Sequence, residues 1–439
     1  LSRKRLSLFW VCAALVGAPS CAVSPAVSAA RRVDNAAVAR AIEPDLRAGR
    51  LGNDDAAAIA RAVAENALAS KGADARDRVR ELRSCASELT SALEDRSKTH
   101  DAAGAEAAMA LLDVGALSPG DARDWLHDAS DDWRAVGVSG LVRAGDAHAR
   151  EQALLDPSAK VRRAEMRASA AAKATGDVPA LLESARVDPD LMARSEAVRA
   201  LARIDPASTD VVHRLKDAWN SADDALREDI ARAWVAPHLA AAGGAEELRL
   251  LLAAGHGPGA VSAAALVAMG ARSADGKASF DDETKTSAIA LLVRTIDQSP
   301  RRERMLALAM APLSNDAIRA AIRRATSESN DLETREAAWS RLLEWPAEHD
   351  AAKKALVAFA SPDSPEAVAR RARLALAADG EISVQAWIEA DLKSPDPSTK
   401  LLAASALASL HRAARAALLL ADPDAHVRTS AACTVLAAR

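Results

Sequence analysis

The sequence predicts an all-α protein, an α-solenoid made by stacking helix–turn–helix units, and three observations carry that expectation. One seven-residue frame occurs twice, as DPSAKVR at 156–162 and DPDAHVR at 422–428. Looser versions start at Asp128, Asp188, Ser221, Gly257, Ser299, Ser329, Ser364 and Asp396, at intervals of 26 to 42 residues, which is the length of one helical pair. From Val33 onward nearly every stretch reads as a short helix broken by Pro, Gly, Asp or Ser, and no segment shows the alternation and β-branched enrichment of a strand.

Composition limits the core that such helices can build. Half of the 439 residues are apolar and 27% are charged, as in a folded chain, but only 3% are aromatic, with three Phe and no Tyr. The core is therefore expected to be Ala, Leu and Val, small side chains that suit close, repetitive helix packing. A chain of this length exceeds one ordinary core, so a modular array or several domains are expected. The net charge of −4, with both signs interspersed, speaks against nucleic acid as a partner.

In chain order, residues 1–30 read as a signal peptide. Arg3, Lys4 and Arg5 form a basic start, Leu6 to Val16 an apolar run too short to span a bilayer, and small residues follow. Cleavage is expected after Val27-Ser28-Ala29 or before Cys21, where Ala18-Pro19-Ser20-Cys21 loosely matches a lipobox. In the second case Cys21 carries the lipid and tethers the protein to a membrane. Either exit makes the protein exported, periplasmic or a membrane-anchored lipoprotein. Residues 31–127 are helical but lack the Asp-Pro frame, and they read as degenerate repeats or an N-terminal cap. Residues 128–439 form the repeat array, with ARSADGKASFDDETK at 271–285 read as a longer loop and GHGPG at 255–259 as a turn.

Within the frame, Asp is placed to accept hydrogen bonds from the free N–H groups of a first helical turn, and Pro follows where its missing donor costs nothing. Positions ten and thirteen after each start carry Val138, Met166, Val198, Trp339 and Leu374, then Leu141, Leu201, Trp234, Leu342 and Val435. These two columns share one side of a helix and are the expected core. The sixth position is Arg134, Arg162, Arg194, Arg227, Arg335, Arg370 and Arg428.

DPSAKVRRAEMRASA, SPEAVARRARLALA and DPDAHVRTSAACTVL resemble HEAT repeats, particularly the short bacterial variety also found in phycobilisome lyases. The resemblance implies a right-handed superhelix of antiparallel helix pairs. It also implies a ladder in which the Arg of each second helix pairs with Asp groups of neighbouring units, with Asp156, Arg162, Asp188, Arg194, Asp422 and Arg428 as members.

No zinc-protease, nucleophile-elbow or phosphate-loop motif is present, and His and Cys show no metal spacing, so neither an enzyme nor a metal or other cofactor is expected. Cys85 and Cys433, almost 350 positions apart, read as buried small residues rather than a disulfide. One pattern points to binding. The eleventh position, opposite the core columns, is Arg167, Arg199 and Arg232 in consecutive units, and Arg163 adds to this stripe on the concave surface. It is the expected contact for an acidic segment of a protein partner or an anionic envelope polymer, unless nearby Asp and Glu neutralise it. Trp345, followed by helix-ending Pro346, is a second candidate contact. The expected function is a non-catalytic scaffold for protein–protein interaction in the cell envelope. The alternative is a small-cofactor or bilin-lyase-like enzyme using the concave groove, with Cys433 as its thiol.

Overall fold

The computed structural model describes residues 24–438 apart from 119, 144–151, 205–208 and 271–278. Cys21 and most of the expected signal peptide lie outside this range. The described residues form helices joined by short turns, with no strand among them.

Each frame opens a helix, though in most units its first residue is not the cap. In the two Asp-Pro-x-Ala-x-Val-Arg copies the helices are Ala159–Ala172 and Ala425–Ala437, so the N-cap is the third frame residue, Ser158 and Asp424. The leading Asp folds the turn before it: Asp156 accepts from Ser158 N at 2.8 Å and Asp422 from Asp424 N at 2.9 Å. Asp190, Asp223 and Asp331 hold the same third position and cap their helices directly, each accepting an N–H three residues on at 2.7–2.9 Å. Only Asp396 follows the simpler expectation, capping Pro397–Ser409 with Pro at the first helical position. The 271–285 segment is also not all loop: its last residues belong to the Asp282–Gln298 helix, capped by Asp281.

The frame-opened helices form one layer. Asp131–Arg143, Ala159–Ala172, Leu191–Leu201, Asp224–Val235, Pro258–Met269, Arg301–Met310, Leu332–Leu342, Glu366–Ala378, Pro397–Ser409 and Ala425–Ala437 each pack on the next. Their partners, such as Val178–Val187, Thr209–Asn220 and His349–Phe359, form a second layer whose members fan apart after Asp316–Ala325. A layer in unbroken contact beside one that fans apart is the concave side of a curved stack. Both core columns lie between the layers: Met166, Val198 and Leu342 are fully buried, while Trp339 and Leu374 are partly exposed. Stability in such a stack is a sum of neighbour interfaces.

The N-terminal segment closes the stack on itself. Asn53–Ala69 packs against Ala425–Ala437, and Asn35–Arg47 against the 3-10 segment Ala413–Ala421. From there Ala75–Glu81 packs on Ala102–Asp113, which packs on Asp131–Arg143, so helix contacts run in a complete circuit. About a dozen helices at the usual 8–10 Å spacing correspond to a circuit ~31–38 Å across between axes.

At the seam Cys85 and Cys433, with Cα atoms 5.4 Å apart and a separation of 348 positions in sequence, form a disulfide. This corrects the expectation of two unpaired cysteines: spacing along the chain says nothing once the stack curves far enough to bring its ends together. The Ser84 hydroxyl lies 3.1 Å from the Cys433 sulfur, Arg415 donates to Leu46 O at 2.6 Å, and His426 meets Glu81 at 2.5 Å across the same seam.

Candidate functional site: the concave face

At Arg134 and Arg162 the Arg of the frame-opened helix clamps two turns at once. Arg162 donates to the backbone oxygens of Asp156 and Pro157, at 2.9 and 3.1 Å, and grips Asp188 of the next unit with two bonds of 2.8 and 2.7 Å. Arg134 treats Asp128 O, Ala129 O and Asp156 the same way. Burial alone would raise the Asp188 pKa, but the Arg162 guanidinium and the Asp190 N–H more than offset it and hold the carboxyl below its ordinary value. Where the next unit has Ser221 in place of Asp, Arg194 turns to Ala185 O at 3.1 Å, and its Nη2 is buried without a partner. Asp422 is held by Lys400 at 2.6 Å. Arg428 donates to the Asp422 and Pro423 carbonyls and meets no carboxylate among the described residues.

The eleventh-position arginines do not form a bare cationic column. Arg199 makes two bonds to Asp229 at 3.0 and 3.1 Å, Arg232 pairs with Glu228 at 2.5 Å, and Arg167 lies 3.6 Å from Glu196. Their side chains stay 44–58% exposed, whereas the carboxylates are 8–24% exposed. The face therefore presents guanidinium groups to solvent over a sunken row of acids, close to neutral overall. Trp345 is half-buried, with the Arg319 guanidinium 4.1 Å from its ring centre, so it is engaged within the array.

A denser basic cluster lies where the N-terminal segment meets the first repeats. Arg76, Arg80 and Arg83, spaced four and three apart, share one face of Ala75–Glu81 and its 3-10 continuation, while Val79 and Leu82 of the same segment are fully buried and anchor it. Arg163, Arg167 and Lys160 face them across a cavity of about 320 Å³ that also takes in Glu106, Asp113 and Asp132. Six cations and three carboxylates line it. Glu106 is shared by Arg76, Arg80 and Arg83 at 3.6, 3.5 and 3.2 Å, and Asp132 by Arg76 and Lys160 at 2.9 and 2.6 Å. Burial works against the Arg83 charge, but Asp113 and Glu106 raise its pKa above the ordinary value. Arg163 reaches Asp190 only at 3.8 Å, leaving its donors poorly used. Of these residues Arg163 and Arg167 stand out in the repeat pattern; Arg76, Arg80 and Arg83 lie outside the frames, and only their i, i+4, i+7 spacing in ARDRVRELR signals them.

The apolar counterpart is a groove of about 530 Å³ between Arg301–Met310, Leu332–Leu342 and Glu366–Ala378, walled by Met305, Leu308, Leu343 and Leu374. At its base Glu336 is almost fully buried, accepting from Arg371 at 2.6 Å and Ser340 at 2.8 Å. Burial raises its pKa in spite of those partners. No group of three metal-ligating side chains occurs among the described residues, and none of their helices is long and apolar enough to cross a membrane. The thiol invoked for a lyase-like reaction, Cys433, is committed to the disulfide.

No family model and no curated protein matches the chain. Among solved structures it is similar to an engineered protein (19% identity, TM-score 0.28, covering 73% of this chain and 98% of that one). It is also similar to Kap121p bound to Nup53p (12% identity, TM-score 0.33, covering 89% and 48%). A third similar structure is the UNC-45 chaperone described as binding and folding muscle myosin (15% identity, TM-score 0.27, covering 87% and 53%). The chain thus spans about half the length of the last two. The fold it adopts is an all-α array of stacked helical pairs.

Proposed function

We propose that the protein is a non-catalytic scaffold of the cell envelope that holds a protein partner on its concave face. The observation that carries this is the unbroken inner layer of helices, which offers half-exposed guanidinium groups along Arg167, Arg199 and Arg232 and a basic cluster around Arg80 and Arg163. Affinity on such a face comes from many modest contacts spread over complementary shape and charge, and the long Arg163 and Arg167 pairs, at 3.8 and 3.6 Å, leave guanidinium donors for an acidic segment. Export is supported by the Cys85–Cys433 disulfide, since such bonds persist in oxidising compartments.

A membrane tether through Cys21 has support of its own. Pro25–Arg31 is a helix packed on the body, with Ala26, Ala29 and Ala30 buried and Asn66 bonded to Ala30 O. Cleavage after Ala29 would remove part of that packing, whereas cleavage before Cys21 keeps it. Mass analysis of the mature protein should find acyl chains on Cys21; a free terminus near Ala30 would remove the tether.

The scaffold reading is tested by reversing Arg167, Arg199 and Arg232 to Glu together and comparing capture of envelope proteins with that by the unaltered chain. A specific partner should be lost, and capture by the unaltered chain should weaken with salt. The same partner captured with unchanged salt dependence would retire the concave face as its site.

A further inference from the structure

The ladder has an unfinished rung at the seam. Arg134, Arg162 and Arg370 each reach a carboxylate of the following unit, Asp156, Asp188 and Asp396. Arg428 reaches no such carboxylate among the described residues and donates instead to the Asp422 and Pro423 carbonyls. Facing it in a cavity of about 350 Å³ is a second arginine, Arg78, whose ion-pair partner is the well-exposed Asp74 at 3.7 Å. The cavity lining is Arg78 and Arg428, the polar Asn35, Asn66, Ser70 and Thr429, and apolar walls that include Val63 and Ala67; no carboxylate is among them. Two like charges at one cavity, each without a strong carboxylate partner, repel unless an anion sits between them. Consistent with that, burial and the charge of Arg78 lower the Arg428 pKa, with Asp422 and Asp424 only partly compensating.

A second observation marks the same cavity. Val33, on its rim, has φ +59 and is 61% exposed. A β-branched residue in the left-handed region is a strained outlier, and exposure means that no core packing compensates for it. Such strain tends to gather where a ligand is held.

We propose that this seam cavity binds a small organic oxyanion, a carboxylate or phosphate ester, whose charged head lies between Arg428 and Arg78 and whose short carbon body rests on Val63 and Ala67. The head takes the place that the next Asp holds in the other rungs, since a planar guanidinium matches either oxyanion with paired hydrogen bonds. Because Asn35, Asn66 and Arg78 belong to the N-terminal segment and Arg428 to the last repeat, an occupant bridges the two ends and should favour the closed circuit.

The test is calorimetric titration of the full chain with inorganic phosphate, acetate, butyrate and glutarate at constant ionic strength. Saturable binding of at least one probe is expected, tighter for butyrate than acetate if the carboxylate arm is right and strongest for phosphate if the phosphate arm is. Arg428→Gln should weaken it at least tenfold. Arg78→Gln guards against misfolding of that variant, because Arg78 gives up only its long contact with exposed Asp74, and it should weaken binding similarly. Absence of saturable binding by all four probes, or binding unchanged in folded Arg78→Gln, would overturn the proposal.

Discussion

Replacing Cys85 and Cys433 together by Ala removes the covalent link at the seam while leaving both sites small and apolar. The link closes a loop of 348 residues. The chain-entropy relation for a cross-link of that span gives about 19–20 cal/mol/K, or ~6 kcal/mol at 25 °C, a ceiling just above the range measured for disulfides. The full amount applies only if the whole loop unfolds. In a stack held by neighbour interfaces the first event is separation at the seam, where Ala425–Ala437 parts from Asn53–Ala69 and both become stack ends with one neighbour instead of two. The double variant should therefore stay folded, because helix packing across the seam remains. Its amide hydrogen exchange should quicken in 413–437 and 35–69 and change least around 191–269, on the far side of the circuit. The denaturation midpoint should fall with it. Hydrogen exchange by mass spectrometry separates these segments, which a single melting curve cannot do for a repeat protein. Unaltered protection at 413–437 together with an unaltered midpoint would refute the closed circuit as the state that the disulfide secures.

Other outcomes follow from charges inside the stack. The Asp188 carboxyl has its pKa held below the ordinary 3.8, so its contribution to stability is complete above that value and is lost as pH falls through the lower folded value. Asp188→Asn should cost about 2–3 kcal/mol at pH 7, the loss of charge-assisted hydrogen bonds to Arg162 with one acceptor kept, and should flatten the loss of stability in acid, read from denaturant midpoints between pH 2 and 6. Glu336 is the opposite case: its raised pKa means that the ionised form is disfavoured in the fold, so it weakens the protein as pH rises through the folded value. Glu336→Gln should raise the thermal midpoint at pH 7, with the gain shrinking as pH falls to where Glu336 takes up its proton. A lower midpoint at pH 7 would mean that the Arg371 pair outweighs the burial of the carboxylate.

Much of the fold was legible because repeats write the same local physics many times. Helix starts, the same-face spacing of pairs such as Val138 with Leu141 and Val198 with Leu201, and the run of frames need only a few neighbours in sequence to be recognised. The cap was misassigned by two residues, since Asp156 and Asp422 bond a backbone N–H before the helix begins, and a sequence pattern does not separate a pre-helical turn from a cap. The concave arginines were legible as positions, but their pairing with Asp229, Glu228 and Glu196 depended on how adjacent helices are offset.

The sequence by itself determined that this chain is helical, modular and built on small apolar side chains, because those properties follow from interactions within one unit or between adjacent ones. Tertiary structure alone decided that the ends meet, that Cys85 finds Cys433, and that Arg428 faces Arg78 across a cavity without a carboxylate. Those contacts follow from the sum of small rotations between successive helical pairs, a quantity that no single repeat carries and that shows itself only when the whole stack is assembled.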